Sequence, residues 1–191
     1  MINEVLVLLK DKLNSYLKLK ANVPEDKVTF LDGSKMDPIS FPLDHVVPLL
    51  INVEEERILR PADRFEGIVR NGIKTQINPT INLNLSVLFV SKFSDYEQSL
   101  KFLSLVVKFF QHNPVFDQTN TPGLNPAIEK LRSELVTLSN TEKNTLWSSL
   151  RTTYMPSVLY RIGLLAFADD ETLEIVGETT AIDTAVNPIK L

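Results

Sequence analysis

Apolar residues near the start of the chain recur at helical steps. Ile2, Val5, Leu6, Leu9, Leu13 and Leu17 fall three or four apart, with Lys10, Lys12, Asn14 and Lys18 elsewhere. The pattern predicts a helix ending near Lys20, ahead of Val23 and Pro24. A short strand is expected at 27–31, followed by an irregular loop marked by Asp32-Gly33, Pro38, Pro42 and Pro48. Residues 47–59 alternate through Leu49, Ile51 and Val53 and read as a strand that turns charged at Glu54-Glu55-Glu56-Arg57. The stretch 61–79 keeps no period and fits either a protruding loop or a hairpin turning at Asn71-Gly72. The clearest strand is 80–90: Ile81, Leu83, Leu85, Val87 and Phe89 point one way, and Asn82, Asn84 and Ser86 the other. One of its faces is expected in the core, the other against water or a partner.

A second helix is expected at 94–111, where Tyr96, Leu100, Leu103, Val107 and Phe110 form a stripe able to cover a sheet. Asn113-Pro114 stops it and Thr121-Pro122-Gly123 extends the loop. Pro126 is placed to open one helical turn, 131–138 reads as a strand, and Ser139 with Glu142 has the form of a capping box over a short helix to Leu150. The last strand, 157–167, is nearly continuous in apolar residues, which suits a central position covered on both faces. The order predicts an α+β domain: a mostly antiparallel or mixed sheet of four to five strands with helices packed on it.

Length and charge refine this picture. A chain of 191 residues suits one domain of ordinary size with a continuous core. Cysteine is absent, so disulfides, thiolate metal sites and a cysteine nucleophile are excluded. The net charge of −4 speaks against a phosphate-backbone partner, and no run approaches the ~20 apolar residues of a membrane helix. Nor does the start resemble an export signal, so synthesis in the cytoplasm is expected. Six of the acidic residues (Asp169, Asp170, Glu171, Glu174, Glu178, Asp183) fall in the last 23 positions beside a single basic one, Lys190. The expected organisation is therefore a nearly neutral domain at 1–168 and an acidic C-terminal arm at 169–191.

Reactive constellations are hard to assemble from these residues. Asp44-His45 is the one acid–histidine pair, but adjacent residues seldom orient each other as a base, and neither a GxSxG elbow nor a cysteine accompanies it. His112 suits a helix C-terminus. Of Glu54, Glu55 and Glu56, only Glu54 and Glu56 share a strand face, and Asp169-Asp170-Glu171 lacks the spacing of a calcium loop. The chain carries no phosphate-binding glycine loop. The expectation is no catalytic site, metal or cofactor, and a protein that works through its surfaces. A hydrolase built on Asp44 and His45, or a module adding a ligand strand to a sheet edge, are the readings from other classes.

One resemblance sharpens this. The alternating strand from Ile81 to Phe89, the Tyr96-to-Phe110 helix, His112-Asn113-Pro114-Val115-Phe116, Leu146-Trp147 and Tyr154-Met155-Pro156-Ser157-Val158-Leu159-Tyr160 follow one another in a familiar order. The N-terminal helix belongs to the same set. Together they resemble the tube-terminator or cap proteins of extracellular contractile injection systems, of the antifeeding-prophage and virulence-cassette type. The resemblance implies a phage tail-terminator-like fold and a hexameric ring that stops the inner tube and contacts the sheath. Its partners would be further copies of itself, the tube protein and the sheath protein, and another tail-completion or baseplate position in the same particle is the nearest alternative. Ring interfaces are heterologous. Their expected residues are Glu54, Glu56, Arg57, Arg60, Arg64 and Arg70 on one flank, and Asp169, Asp170, Glu171 and Glu174 in the arm.

Overall fold

The N-terminal apolar stripe forms a helix because its residues have a sheet to cover. In the computed structural model, which describes residues 1–35, 38–56, 68–70, 73–75 and 81–167, the order of elements is α1 (Ile2–Ala21), a 3-10 turn (Gly33–Lys35), β1 (His45–Glu55), β2 (Ile68–Arg70), β3 (Ile73–Thr75), β4 (Ile81–Lys92), α2 (Tyr96–His112), β5 (Val115–Asp117), β6 (Lys130–Val136), α3 (Asn140–Ser149) and β7 (Ser157–Phe167). The chain falls into two units, Met1–Arg60 with Ile81–Phe167, and Pro61–Thr80 with Ala168–Leu191. In the second unit β2 and β3 pair antiparallel, Arg70 opposite Ile73, a pairing that favours the hairpin alternative, while the expected turn at Asn71-Gly72 lies outside the described residues.

The first unit is an antiparallel five-stranded sheet in the order β1-β4-β7-β6-β5, so the fold is α+β as the spacing predicts. β7 is the middle strand, matching its nearly continuous apolar run. One face carries the larger core. There Val5, Leu9, Leu13 and Leu17 of α1 and Phe102, Val106, Phe109 and Phe110 of α2 pack on Leu85, Val87, Phe89, Tyr160 and Ile162. The other face holds a smaller core of Val47, Leu49, Leu88, Val90 and Leu159, closed by Phe41 from the loop and Trp147 of α3. β4 is thus buried on both faces over its second half, where the expectation was one core face and one polar one. Beyond Ser86 the run Val87-Leu88-Phe89-Val90 has no polar residue left to face water.

Local chemistry sets where the helices stop and start. Asn22 takes a left-handed conformation (φ 55°) to end α1. Asp95 caps α2 by accepting the Glu97 N–H, and Asn113 closes its far end on the Phe109 carbonyl at 2.9 Å. Ser139 and Glu142 form the expected capping box of α3. Those bonds, from the Ser139 hydroxyl first, hold the Glu142 carboxyl below its usual range. The turn after β5 is held by Asp117, whose carboxyl is likewise lowered by the Thr119 hydroxyl and by the N–H groups of Asn120 and Thr119.

Several elements differ from the reading of the pattern. The strand expected at 27–31 is a single parallel bridge, Val28 to Val46, along the outer side of β1. β1 begins earlier than expected and includes Pro48, which an edge strand tolerates. Pro126 stands in a turn and opens no helix, while β5 arises from residues that looked like loop. The stripe on α2 is rotated. Ser99, Phe102, Val106, Phe109 and Phe110 are buried, whereas Tyr96 is 66% and Leu100 41% exposed.

Candidate assembly surfaces

Below the smaller core, the same sheet face turns polar, and two of the expected interface residues sit there. Leu49 pairs with Leu88 on the apolar half; after a bulge near Leu50, Asn52 pairs with Ser86 and Glu54 with Asn84. Glu56 continues the line, its N–H donating to the Asn82 carbonyl at 2.8 Å. Period two along β1 therefore puts Glu54 and Glu56 on one face, as expected. Glu54 accepts from Asn52 Nδ2 at 2.8 Å and Glu56 from Asn84 Nδ2 at 2.8 Å. On the neighbouring strands Ser86 faces Arg161, and Arg161 faces Glu134, whose carboxylate lies 3.9 Å from its guanidinium. The Arg161 Nε is buried without a hydrogen-bond partner among the described residues.

Gly163 makes room for this arrangement. A Cβ there would stand 2.6 Å from Asn84 Oδ1, so a side chain would displace the amide that holds Glu56. Gly163→Ala is expected to lower stability by about 1 kcal/mol, the scale of one lost partly buried hydrogen bond. Most of that loss should vanish in an Asn84→Ala background, a coupling that a double-mutant cycle of denaturant midpoints reads directly.

The other expected site residues divide by position. Arg70 ends β2, its backbone paired with Ile73. Arg57, Arg60, Arg64, Asp169, Asp170, Glu171 and Glu174 lie outside the described residues. The Asp44–His45 pair does not meet: the Asp44 carboxylate accepts from Ser94 N–H and Oγ at 3.0 and 3.2 Å, and His45 Nδ1 lies 2.7 Å from the Leu43 carbonyl. His112 is exposed at the last position of α2. No cluster of three metal-ligating side chains occurs among the described residues, and no described helix is long and apolar enough to cross a membrane. The pattern missed Asn84, Arg161 and Glu134 as neighbours of the two glutamates, because strand register brings them there.

Comparison with known proteins adds an independent line. The family model described as the Pvc16 N-terminal domain matches residues 4–177. No curated protein matches the chain. Among solved structures, the PVC sheath/tube terminator of an extracellular contractile injection system, in its extended state, is similar at 17% identity and a TM-score of 0.61, over 100% of this chain and 64% of that one. The tube-terminating cap of the anti-feeding prophage is similar at 15% identity and a TM-score of 0.53, over 90% of this chain and 58% of that one. The chain thus spans less than two thirds of the length of either, and at these identities the likeness is one of fold.

Proposed function

The chain belongs to the Pvc16 N-terminal domain family, and from that premise we propose that it is a structural cap, which ends the inner tube and the sheath of a contractile injection particle as a hexameric ring. The observation that carries this reading is the shared fold with two proteins named as a sheath/tube terminator and a tube-terminating cap. In this role the chain breaks and makes no covalent bond. The hydrogen bonds of Asp44 to Ser94 and of His45 Nδ1 to the Leu43 carbonyl support that, since each side chain is turned to another partner and the pair makes no hydrogen bond of its own. The protein is made in the bacterial cytoplasm and joins the particle there, with copies of itself, the tube protein and the sheath protein as partners.

Glu54 and Glu56 on the polar sheet face, together with Arg57, Arg60, Arg64 and Arg70, supply one flank of the ring contact. The acidic residues of the arm 169–191, Asp169, Asp170, Glu171 and Glu174, carry the complementary charge for the domain 1–168 of the next copy. The direct test adds the purified chain to its tube protein during polymerisation and measures tube lengths by electron microscopy. Shorter tubes bearing a ring of six subunits at one end are expected. An unchanged length distribution with bare ends would reject the cap.

A further inference from the structure

The two edges of the five-stranded sheet are finished differently. On the β1 side, Val46 donates to the Lys27 carbonyl at 2.7 Å and accepts from the Thr29 N–H at 3.1 Å. Two residues on, Pro48 has no N–H to offer, and the Val53 N–H is taken at 2.9 Å by its neighbour's side chain, Asn52 Oδ1. At Val46, Pro48 and Val53 that edge is closed to another strand by its own chain. The β6 side is not. β5 covers only Lys130 to Arg132, and the Ser133 N–H donates to Pro114 at 2.9 Å. Backbone groups alternate in direction along a strand, so those of Leu135 and Thr137 point the same way as Ser133's, off the sheet. They have no backbone partner among the described residues, and Leu135 is 51% exposed.

Beside this open edge lies a pocket. Leu138, Leu146, Trp147 and Tyr154 form its apolar walls together with Leu135 and Thr137, and Lys143 is the one charged side chain among its described lining. Trp147 is 4% exposed, and its indole N–H has no acceptor among the described residues. A free edge flanked by an apolar pocket is the arrangement that recognises an extended strand: the backbone gives affinity and the pocket selects alternate side chains.

We propose that this edge receives residues 171–175 from the acidic arm of a second copy as a sixth strand. Glu171, Leu173 and Ile175 alternate onto one face, which sets a carboxylate for Lys143 and two apolar side chains for the pocket. Chain length selects the second copy over the chain's own arm. Tyr160 is the register partner of Leu135, and Phe167 lies seven residues further along β7, roughly 23 Å away at ~3.3 Å per residue. The four steps from Phe167 to Glu171 span at most about 14 Å. Pro114 and β5 occupy the edge below Leu135, so the arm cannot enter lower down. This inference rests on the assembly reading above, because it supplies the second copy.

The test is self-association of the full chain by light scattering across a concentration series. Leu173→Asp should weaken it at least about tenfold, the worth of one buried leucine. Lys143→Glu and Glu171→Lys should each weaken it about threefold, and the two together should restore it. The chain has no cysteine, so two single variants, Thr137→Cys and Glu174→Cys, can be mixed and oxidised. A disulfide-linked pair of unlike chains is expected. Self-association indifferent to all these changes would overturn the inference, and so would a chain carrying both cysteines that closes only on itself. Either result with tube capping retained rejects the strand exchange alone, whereas loss of capping with the cross-link retained rejects the cap.

Discussion

Replacing Phe110 by alanine should lower stability by about 3–5 kcal/mol, the cost of removing a large aromatic from a packed core. Phe110 is 2% exposed and joins three elements to α2: its ring centroid lies 5.1 Å from Phe89 of β4, 4.2 Å from Tyr160 of β7 and 6.5 Å from Phe116 of β5. Domains hold only about 5–15 kcal/mol in all, so a fall in Tm of roughly 6–20 °C is expected by circular dichroism. Two companions fix the orientation of α2. Val106, with 0% exposure, should cost well over 1 kcal/mol on truncation to alanine, whereas Leu100, at 41%, should cost much less. The reverse ranking would mean that the helix presents the stripe its spacing suggests and not the one described.

That stripe shows how far period alone carries. Apolar residues occupy two adjacent lines on α2, one through Leu100, Leu103 and Val107 and one through Phe102, Val106 and Phe109. Spacing gives the period of a helix but not its phase when both lines are apolar. The phase is set by Ser99, which looks like a solvent residue and is buried: its carbonyl accepts from Ser91 Oγ at 2.8 Å and its hydroxyl from the Phe93 N–H at 3.0 Å. The apolar stripe of α1 was legible because Lys10, Lys12 and Lys18 leave only one line to bury, but Asn14, read with the lysines, is buried beside it. β7 was legible as central because Arg161 is the one charged residue in its apolar run.

The candidate surfaces were legible in part for the same reason. Period two places Glu54 and Glu56 together without any structure, since both lie on one strand. Asn84, Arg161 and Glu134 reach them only through the register of four strands, and the bulges near Leu50 and between Leu83 and Leu85 shift that register by steps no pattern announces. The contrast between a closed β1 edge and an open β6 edge is further still from the sequence. It depends on β5 being three residues long and on Lys27 and Thr29 lying along β1. Hydrogen-bond partners far apart in the chain decide it.

Asn14 carries the second large effect, through that closed edge. It is 5% exposed on the buried side of α1, and its Oδ1 accepts from the N–H groups of Lys27 and Val28 at 2.9 and 2.8 Å. Its Nδ2 donates to the Val28 carbonyl at 3.0 Å. One amide thus ties the first helix to the segment that covers Val46. Asn14→Ala leaves a donor and an acceptor of buried Val28 without partners, at about 1–3 kcal/mol each, so a loss of roughly 3 kcal/mol is expected. Asn14→Asp keeps the acceptor but loses the donor and brings a charge into the core, so it should recover little. The effect should also be local. Once the segment is released, the Val46 N–H should lose hydrogen-exchange protection before the middle strands do, and the bared strand should add concentration-dependent aggregation. Unchanged protection at Val46 beside a stability loss below about 0.5 kcal/mol would show that the amide does not hold that edge shut.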